Sequence, residues 1–172
     1  MQAAALNKIK LILFDVDGVL TDGNITYTDK GVEIKDFNVQ DGLGITMARL
    51  AGFKTGIISS RKSKAIDLRA KQLKIDVISQ GNLRKLSEYN RLRESLNLTD
   101  EQVCYIGDDL LDLPVLRKAG FAVAVANARE EVKKECDYIT TVSGGHGAVR
   151  EVIDMILKRQ EKFETVLNHL TE

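Results

Sequence analysis

The segment that decides the fold of this chain is LILFDVDGVLTDG, residues 11–23. Its first four residues are apolar without alternation, which predicts a β-strand covered on both faces. Asp15 and Asp17 follow at a spacing that puts two side chains on one face of an extended chain. Ligands of an open parallel sheet bind beyond the carboxyl ends of its strands, so this pair predicts a site there. An isolated DxDG also fits a solvated turn, because Asp and Gly are common in turns.

Outward from this segment, short apolar runs alternate with amphipathic stretches along most of the chain. This alternation predicts an α/β fold, a Rossmann-like three-layer α/β/α arrangement around a mostly parallel sheet. Strands are predicted at residues 9–14, 54–59, 76–78, 102–106, 122–125 and 138–140. Helices are predicted to begin near residues 42, 62, 82, 110, 129 and 148.

Residues 24–36 break this rhythm, because apolar and polar residues alternate there around a turn at residues 28–31. The pattern predicts a small β-hairpin with Ile25, Tyr27, Val32 and Ile34 as its apolar positions. A lone two-stranded hairpin is marginal in water, so it should pack against its own domain or another subunit. Residues 148–172 are interpreted as a helix followed by a charged tail.

The bulk composition fits one globular domain over residues 1–172, with 44% hydrophobic residues to form a core. Lys plus Arg equals Asp plus Glu at 25 each, so no overall positive field exists to attract nucleic acid or a membrane surface. The first apolar run is too short for a signal peptide or a membrane span, and the two cysteines lack metal-ligand spacing. We therefore expect a cytoplasmic protein with no nucleic-acid or membrane partner.

Three further signals fall at the same predicted edge of the sheet. Ser59 ends a predicted strand and is predicted to open the next helix, where a hydroxyl and backbone N–H groups can hold a phosphate. Lys85 lies near the start of another helix, and GDDLLD, residues 107–112, adds carboxylates after a strand. Singly, these features also fit a helix cap, a solvated cation and a capped loop. Their occurrence together and in this order favours a site.

The same residues carry a resemblance to a known family. DVDGVLTDG, IISSRKS, the lysine of NLRKL and YIGDDLLDLPVL resemble the four motifs of haloacid dehalogenase phosphatases. FNVQDG, SSRKS and SGGHGAVREV resemble segments of the small, uncapped subgroup that acts on phosphorylated sugar acids. The resemblance covers nearly the whole chain and implies a Mg²⁺-dependent phosphomonoester hydrolase. The expected substrate is 3-deoxy-D-manno-octulosonate 8-phosphate, with a nonulosonate 9-phosphate as the alternative.

The resemblance also implies a role for each motif residue. Asp15 would attack phosphorus to form an aspartyl-phosphate, and Asp17 would act as the general acid and base. Asp15, the backbone carbonyl of Asp17, and Asp108 would hold Mg²⁺. Ser59 and Lys85 would hold the transferring phosphoryl group. Acids, a lysine and a metal must converge because a carboxylate repels a phosphate dianion unless nearby cations neutralise charge.

Four more residues are expected around this centre. Ser60 and Arg61 would bind substrate, with Arg61 matching a sugar-acid carboxylate through its planar guanidinium. Asp109 and Asp112 would support the ligands from behind, with Asp109 orienting Lys85 or the metal site. Many relatives have glycine at the position of Ser60 and arginine at that of Gln40, which leaves the identity of the sugar acid open.

Two other kinds of function fit part of this pattern. A receiver-like regulatory domain also carries acids and a lysine on a parallel sheet, but its phosphorylated aspartate lies later in the chain. An inactive structural partner would have lost motif residues, whereas all four motifs are present. Uncapped relatives assemble as tetramers through their hairpins, so the resemblance implies a homotetramer.

Overall fold

The computed structural model describes residues 2–172, and its centre is a six-stranded parallel sheet. The strand order is β5-β4-β1-β6-β7-β8, and every neighbouring pair is parallel. Its strands are β1 (Leu11–Phe14), β4 (Lys54–Ser59), β5 (Val77–Gln80), β6 (Val103–Gly107), β7 (Phe121–Ala124) and β8 (Tyr138–Ile139). All six predicted strands are therefore present, and the predicted α/β class is confirmed.

Helices cover both faces of this sheet and join its parallel strands, as crossover connections require. They are α1 (Gln2–Leu6), α2 (Val39–Leu50), α3 (Lys64–Leu73), α4 (Lys85–Ser95), α5 (Leu113–Leu116), α6 (Glu130–Lys133), α7 (Ala148–Arg159) and α8 (Phe163–Thr171). Two 3₁₀ turns occupy Asp100–Gln102 and Leu110–Asp112. None of the helices in the described part of the chain is both long enough and apolar enough to span a bilayer.

The central strand is β1, whose four side chains are completely buried. The chain first builds β4 and β5 on one side of β1, and then β6, β7 and β8 on the other. The order thus reverses beside β1, and a crevice forms at the carboxyl ends of strands that flank such a reversal. Asp15, Ser59 and Asp108 end or follow the three adjacent strands β1, β4 and β6. The topology alone brings three predicted site residues to one edge.

The predicted hairpin is present as β2 (Thr26–Tyr27) and β3 (Glu33–Ile34), which pair antiparallel. Its apolar side chains are largely uncovered within this chain. The exposed fractions are 45% for Ile25, 58% for Tyr27, 59% for Val32 and 45% for Ile34. The register pairs Tyr27 with Glu33 and Thr26 with Ile34, so Ile25 and Tyr27 lie on one face of the hairpin and Val32 and Ile34 on the other. We call these four the exposed hairpin residues.

The prediction of a charged tail after α7 was wrong, because residues 163–171 form α8. Phe163 and Val166 pack on the core at a helical spacing, so this segment has an apolar stripe. The first helix, α1, was not predicted at all. The starts of other helices differ by a few residues: α2 begins at Val39, before residue 42. The helix α4 begins at Lys85, after residue 82, because Asn82 accepts a hydrogen bond from the Arg84 N–H in the preceding loop.

Candidate active site

The DVDG loop holds Asp15 firmly at the end of β1. The Asp15 N–H donates to the Ile106 carbonyl at 3.0 Å, which continues the parallel ladder toward β6. Its Oδ1 accepts from the Val16 N–H at 2.7 Å, and Oδ2 lies 2.7 Å from the Lys85 Nζ. The residue is only 8% exposed. Asp15 therefore presents an oriented carboxylate at the floor of the cleft.

Lys85, the first residue of α4, is a buried cation between two carboxylates. Its Nζ contacts Asp15 Oδ2 and Asp112 Oδ1, each at 2.7 Å. Burial alone would lower the pKa of Lys85, but the two carboxylates outweigh burial and raise it. Lys85 is therefore a permanent positive charge beside Asp15.

Asp112 is completely buried and accepts from four donors. Its Oδ1 accepts from Lys85 Nζ and from the Tyr105 hydroxyl at 2.6 Å. Its Oδ2 accepts from the N–H groups of Asp108 at 3.1 Å and Asp109 at 3.2 Å. Asp112 thus ties α4 and β6 to the acidic loop that follows β6. Sequence reasoning missed Tyr105, because a tyrosine in an apolar strand is indistinguishable from an ordinary core residue.

The expectation that Asp109 orients Lys85 is corrected by these contacts. The carboxylate of Asp109 accepts from the Leu110 N–H at 2.7 Å and caps the 3₁₀ turn Leu110–Asp112. The orienting contact with Lys85 comes from Asp112 instead. The reason is local: an Asp at a turn start satisfies the nearest free N–H groups.

Asp15 and Asp108 can hold a divalent cation, and three observations test this fit. Ligand atoms of Asp15, Asp108 and Asp112 lie within 4.8 Å of one another, but both oxygens of Asp112 already accept hydrogen bonds. Asp108 Oδ1 is buried without a hydrogen-bond partner. Burial and the Asp112 carboxylate raise the pKa of Asp15 to about 7, and burial and the Asp15 carboxylate raise that of Asp108 to about 8. An excess of buried negative charge with a free oxygen fits a hard cation that prefers oxygen ligands.

Gly18 makes the approach of Asp108 to the DVDG loop possible. Its φ is +92°, and a Cβ at this position would lie 2.1 Å from Asp108 Oδ2. Any side chain here would displace the carboxylate and strain the backbone. Glycine is therefore required at position 18 for the Asp108 carboxylate to lie beside the DVDG loop.

The next loop brings three predicted residues to the cleft. Ser59 is buried at the end of β4, and its hydroxyl accepts from the Arg61 N–H at 3.3 Å. Ser60 Oγ is buried without a hydrogen-bond partner, so it is available to a ligand. The prediction that Ser59 opens a helix was wrong, because α3 begins at Lys64 and Ser63 caps it. The intervening residues form a loop that lets Arg61 reach the rim.

The hairpin supplies site residues that sequence reasoning missed. Lys35 Nζ contacts Asp17 Oδ1 and lies 3.4 Å from Glu33 Oε1. Glu33 also accepts from Arg61 at 3.0 Å, and Arg61 donates to the Tyr27 hydroxyl at 3.2 Å. Lys35 belongs to none of the motifs, and from the sequence alone it is indistinguishable from an ordinary exposed lysine of a hairpin. The hairpin therefore closes one side of the cleft in its own chain.

The FNVQDG and SGGHG segments have structural roles behind the site. Asp41 is buried and accepts from the N–H groups of Gly147 at 3.3 Å and Arg150 at 2.9 Å, at the start of α7. A Cβ on Gly144 would lie 1.8 Å from the Gly18 carbonyl oxygen, so the glycine loop packs directly against the DVDG loop. His146 in this loop is exposed.

These residues surround one cleft of about 270 Å³. Its lining residues are Asp15, Asp17, Ser59, Ser60, Arg61, Leu83, Lys85, Asp108, Asp109, Leu111 and Asp112. All the residues that the sequence proposed for chemistry or substrate binding line this cleft. A cleft with acids, an ammonium and free hydroxyls suits a phosphate ester held with a cation.

Comparison with known proteins agrees with this geometry. Residues 58–153, more than half of the chain, match the model of the haloacid dehalogenase-like hydrolases. The chain belongs to this family. The match spans Ser59, Lys85 and Asp108, so three of the motif residues fall inside it.

Individual relatives match over a longer stretch. The 3-deoxy-D-manno-octulosonate 8-phosphate phosphatase of Escherichia coli K12 is 44% identical over 161 residues, 94% of this chain and 86% of the relative. The crystal structure of the Moraxella catarrhalis phosphatase of that name, in complex with magnesium, phosphate and KDO, has a TM-score of 0.95 at 43% identity and covers 98% of this chain and 97% of its own. The Yersinia pestis phosphatase has a TM-score of 0.93 at 42% identity, covering 95% and 88%.

Proposed function

We propose that this chain is a Mg²⁺-dependent phosphatase that hydrolyses 3-deoxy-D-manno-octulosonate 8-phosphate through an aspartyl-phosphate on Asp15. The observation that carries the proposal is the buried Asp15–Lys85–Asp112 arrangement beside Asp108. The family of hydrolases and the names of its relatives supply the reaction and the substrate. A cytoplasmic location, predicted from the sequence, stays part of the proposal.

In the first half of the reaction, the Asp15 carboxylate attacks phosphorus and the bond from phosphorus to the sugar oxygen breaks. Asp17 donates a proton to that oxygen, so the sugar leaves as a neutral alcohol. Lys85 remains charged beside Asp15 and offsets the negative charge of the transferring group. Ser59 and Ser60 are placed to donate hydroxyl hydrogens to its oxygens.

In the second half, Asp17 accepts a proton from a water molecule that attacks the phosphorus of the aspartyl-phosphate. The acyl-phosphate bond breaks, phosphate leaves, and the Asp15 carboxylate and protonated Asp17 are restored. Asp15 and Asp108, with the backbone carbonyl of Asp17, would hold Mg²⁺, and the bound cation supplies charge stabilisation for the phosphoryl group. Its double charge also favours the ionised form of both aspartates, whose pKa values are otherwise raised.

Arg61 is the residue that we propose for the carboxylate of the sugar acid. It lies on the cleft rim, its side chain is 41% exposed, and its Nε faces Asp17 Oδ2 at 3.5 Å. Glu33 and Tyr27 hold the other side of the guanidinium, so the group is oriented before substrate binds. A planar fork of donors matches a carboxylate in two hydrogen bonds.

The test is turnover by the purified protein with Mg²⁺ on a panel of phosphorylated sugar acids, a neutral sugar phosphate and an aryl phosphate. The panel includes 3-deoxy-D-manno-octulosonate 8-phosphate and a nonulosonate 9-phosphate, which is the alternative substrate. Arg61→Ala should raise the KM for the preferred sugar acid about ten- to a hundredfold, since a charged hydrogen bond is worth roughly 1.5–3 kcal/mol. The KM for the aryl phosphate should stay near that of the wild type. Equal losses on all substrates would contradict the assignment of Arg61.

We further propose that the working species is a homotetramer in which the exposed hairpin residues pack on neighbouring subunits. Four apolar side chains at 45–59% exposure on a minimal hairpin support burial in an assembly. The number four comes from the resemblance to uncapped relatives. Sedimentation of the wild type and of the Ile25→Ser/Val32→Ser variant tests this. The variant should dissociate and lose sugar-acid turnover more than aryl phosphate turnover, while a fully active wild-type monomer would refute the assembly.

A further inference from the structure

The buried cation Lys35, at the end of the hairpin, contacts Asp17, the proposed general acid and base. Lys35 follows β3 directly, and its side chain has no exposed surface. Its Nζ donates to Asp17 Oδ1 and lies 3.4 Å from Glu33 Oε1. Burying an ammonium is costly unless carboxylates pair with it, so this arrangement needs both acids.

The contact leaves the two oxygens of Asp17 in different states. Oδ1 is held by Lys35, whereas Oδ2 is buried without a hydrogen-bond partner. Oδ2 lies 3.5 Å from the Arg61 Nε, and Asp17 lines the cleft. A carboxylate anchored through one oxygen keeps a fixed rotamer and offers the other oxygen to a ligand.

We propose that Lys35 is a positioning residue for Asp17: it anchors Oδ1 so that Oδ2 exchanges the proton with the leaving sugar oxygen and with water. This inference rests on the proposed function, because it assigns the proton transfer to Asp17. Lys35 itself does not touch the substrate. The groups that face the Asp17 carboxylate are Lys35 and Arg61, and Glu33 bridges these two cations.

If Lys35 positions Asp17, the effect of losing Lys35 on the rate should depend on the leaving group of the substrate. General acid help matters most when the leaving oxygen is basic, and it contributes about 10²–10⁴-fold in rate. A well-stabilised phenolate leaves without a proton, so it needs no positioned acid. Misplacement of a reacting group by about 1 Å can cost on the order of a hundredfold. Loss of Lys35 should therefore slow only substrates with poor leaving groups.

The experiment measures kcat/KM of the full-length protein with Mg²⁺ on phenyl, 4-nitrophenyl and 2,4-dinitrophenyl phosphate. The variants are Lys35→Met, which keeps length without charge, and Lys35→Gln, which keeps a neutral donor. Lys30→Met is the matched control, since Lys30 is exposed in the turn of the same hairpin. We expect Lys35→Met to lose about 10- to 100-fold on phenyl phosphate and about threefold or less on 2,4-dinitrophenyl phosphate. Lys35→Gln should show the same trend with a smaller loss, and Lys30→Met should match the wild type.

Circular dichroism and melting temperature of each variant report the fold, and the ratio between substrates does not depend on the fraction of folded protein. Equal losses on all three aryl phosphates would overturn the proposal and assign Lys35 a structural role. Unchanged rates would also overturn it. Because the aryl series needs no sugar substrate, it tests Lys35 even when the wild type rejects 3-deoxy-D-manno-octulosonate 8-phosphate, a result that would instead refute the proposed substrate.

Discussion

Replacing Asp112 with asparagine removes the charge that the structure places under Lys85 while keeping the shape of the side chain. In the native protein four donors converge on this buried carboxylate. Asparagine has one acceptor oxygen and a donor NH₂ group in place of the second oxygen. If the NH₂ group faces the backbone, the N–H groups of Asp108 and Asp109 lose their acceptor. If it faces Lys85, that ammonium loses its acceptor, while the Tyr105 hydroxyl can turn and accept from the amide.

The expected magnitude follows from this count. A buried donor without a partner costs about 1–3 kcal/mol, so one or two of them cost roughly 1–6 kcal/mol in free energy of unfolding. Domains of this kind have a free energy of unfolding of about 5–15 kcal/mol in total, so the Asp112→Asn variant should still fold but with a much lower stability. Turnover should fall about ten- to a hundredfold, because Lys85 loses one of its two charged partners and shifts toward Asp15.

Urea unfolding followed by circular dichroism, with Mg²⁺ present, measures the stability, and hydrolysis of 4-nitrophenyl phosphate measures the turnover. Tyr105→Phe is the matched control, since it removes one of the four donors and leaves the ring in the core. It should cost about 1 kcal/mol and change turnover by only a few fold. If Asp112→Asn stays within about 0.5 kcal/mol and twofold of the wild type, the hydrogen-bonding account of Asp112 is refuted.

Two further predictions concern Asp15 and Asp108. Gly18→Ala should abolish Mg²⁺-dependent turnover, because the new Cβ would meet Asp108 Oδ2. It should also cost about 1–3 kcal/mol in the free energy of unfolding, because the φ of residue 18 is +92°. Titration calorimetry measures the affinity for Mg²⁺, and a native affinity of the variant would contradict this prediction. The metal-free protein should lose stability as pH rises from about 4 to about 8, since Asp15 and Asp108 keep protons in the folded state that the unfolded chain releases near pH 3.8. Mg²⁺ competes with these protons, so it should raise the melting temperature more at about pH 8 than at about pH 5. An equal rise in melting temperature at the two pH values would contradict the raised pKa values of Asp15 and Asp108.

The parallel sheet was predictable because its strands are covered on both faces. Such strands must be continuous apolar runs, and their ends place the motif residues without knowledge of any contact. The order of β1, β4 and β6 then brings Asp15, Ser59 and Asp108 together. This part of the site follows from topology alone.

The remaining parts depend on contacts between distant segments, which one sequence does not encode in a local pattern. Lys35 looks like any cation of an exposed hairpin, and only the packing of the hairpin shows that it reaches Asp17. Asp109 and Asp112 are three residues apart, and the turn decides which of them contacts Lys85. The helix α8 was missed because the charge-rich segment 158–162 just before it suggests a solvated tail, although α8 itself carries one acidic residue and packs on the core through Phe163 and Val166.

The central claim is that phosphate passes through a covalent bond to Asp15. Borohydride reduces an acyl-phosphate and would convert a phosphorylated Asp15 into homoserine, which mass spectrometry of the peptide containing residues 11–23 detects. The Asp17→Asn variant, mixed with Mg²⁺ and 2,4-dinitrophenyl phosphate and then quenched, should accumulate this product, because departure of that leaving group needs no acid whereas the attacking water still needs a base. The account predicts homoserine at position 15 in this sample and none without substrate or in Asp15→Asn. Turnover by the wild type with no modified Asp15 in either protein, or modification at another carboxylate, would contradict it.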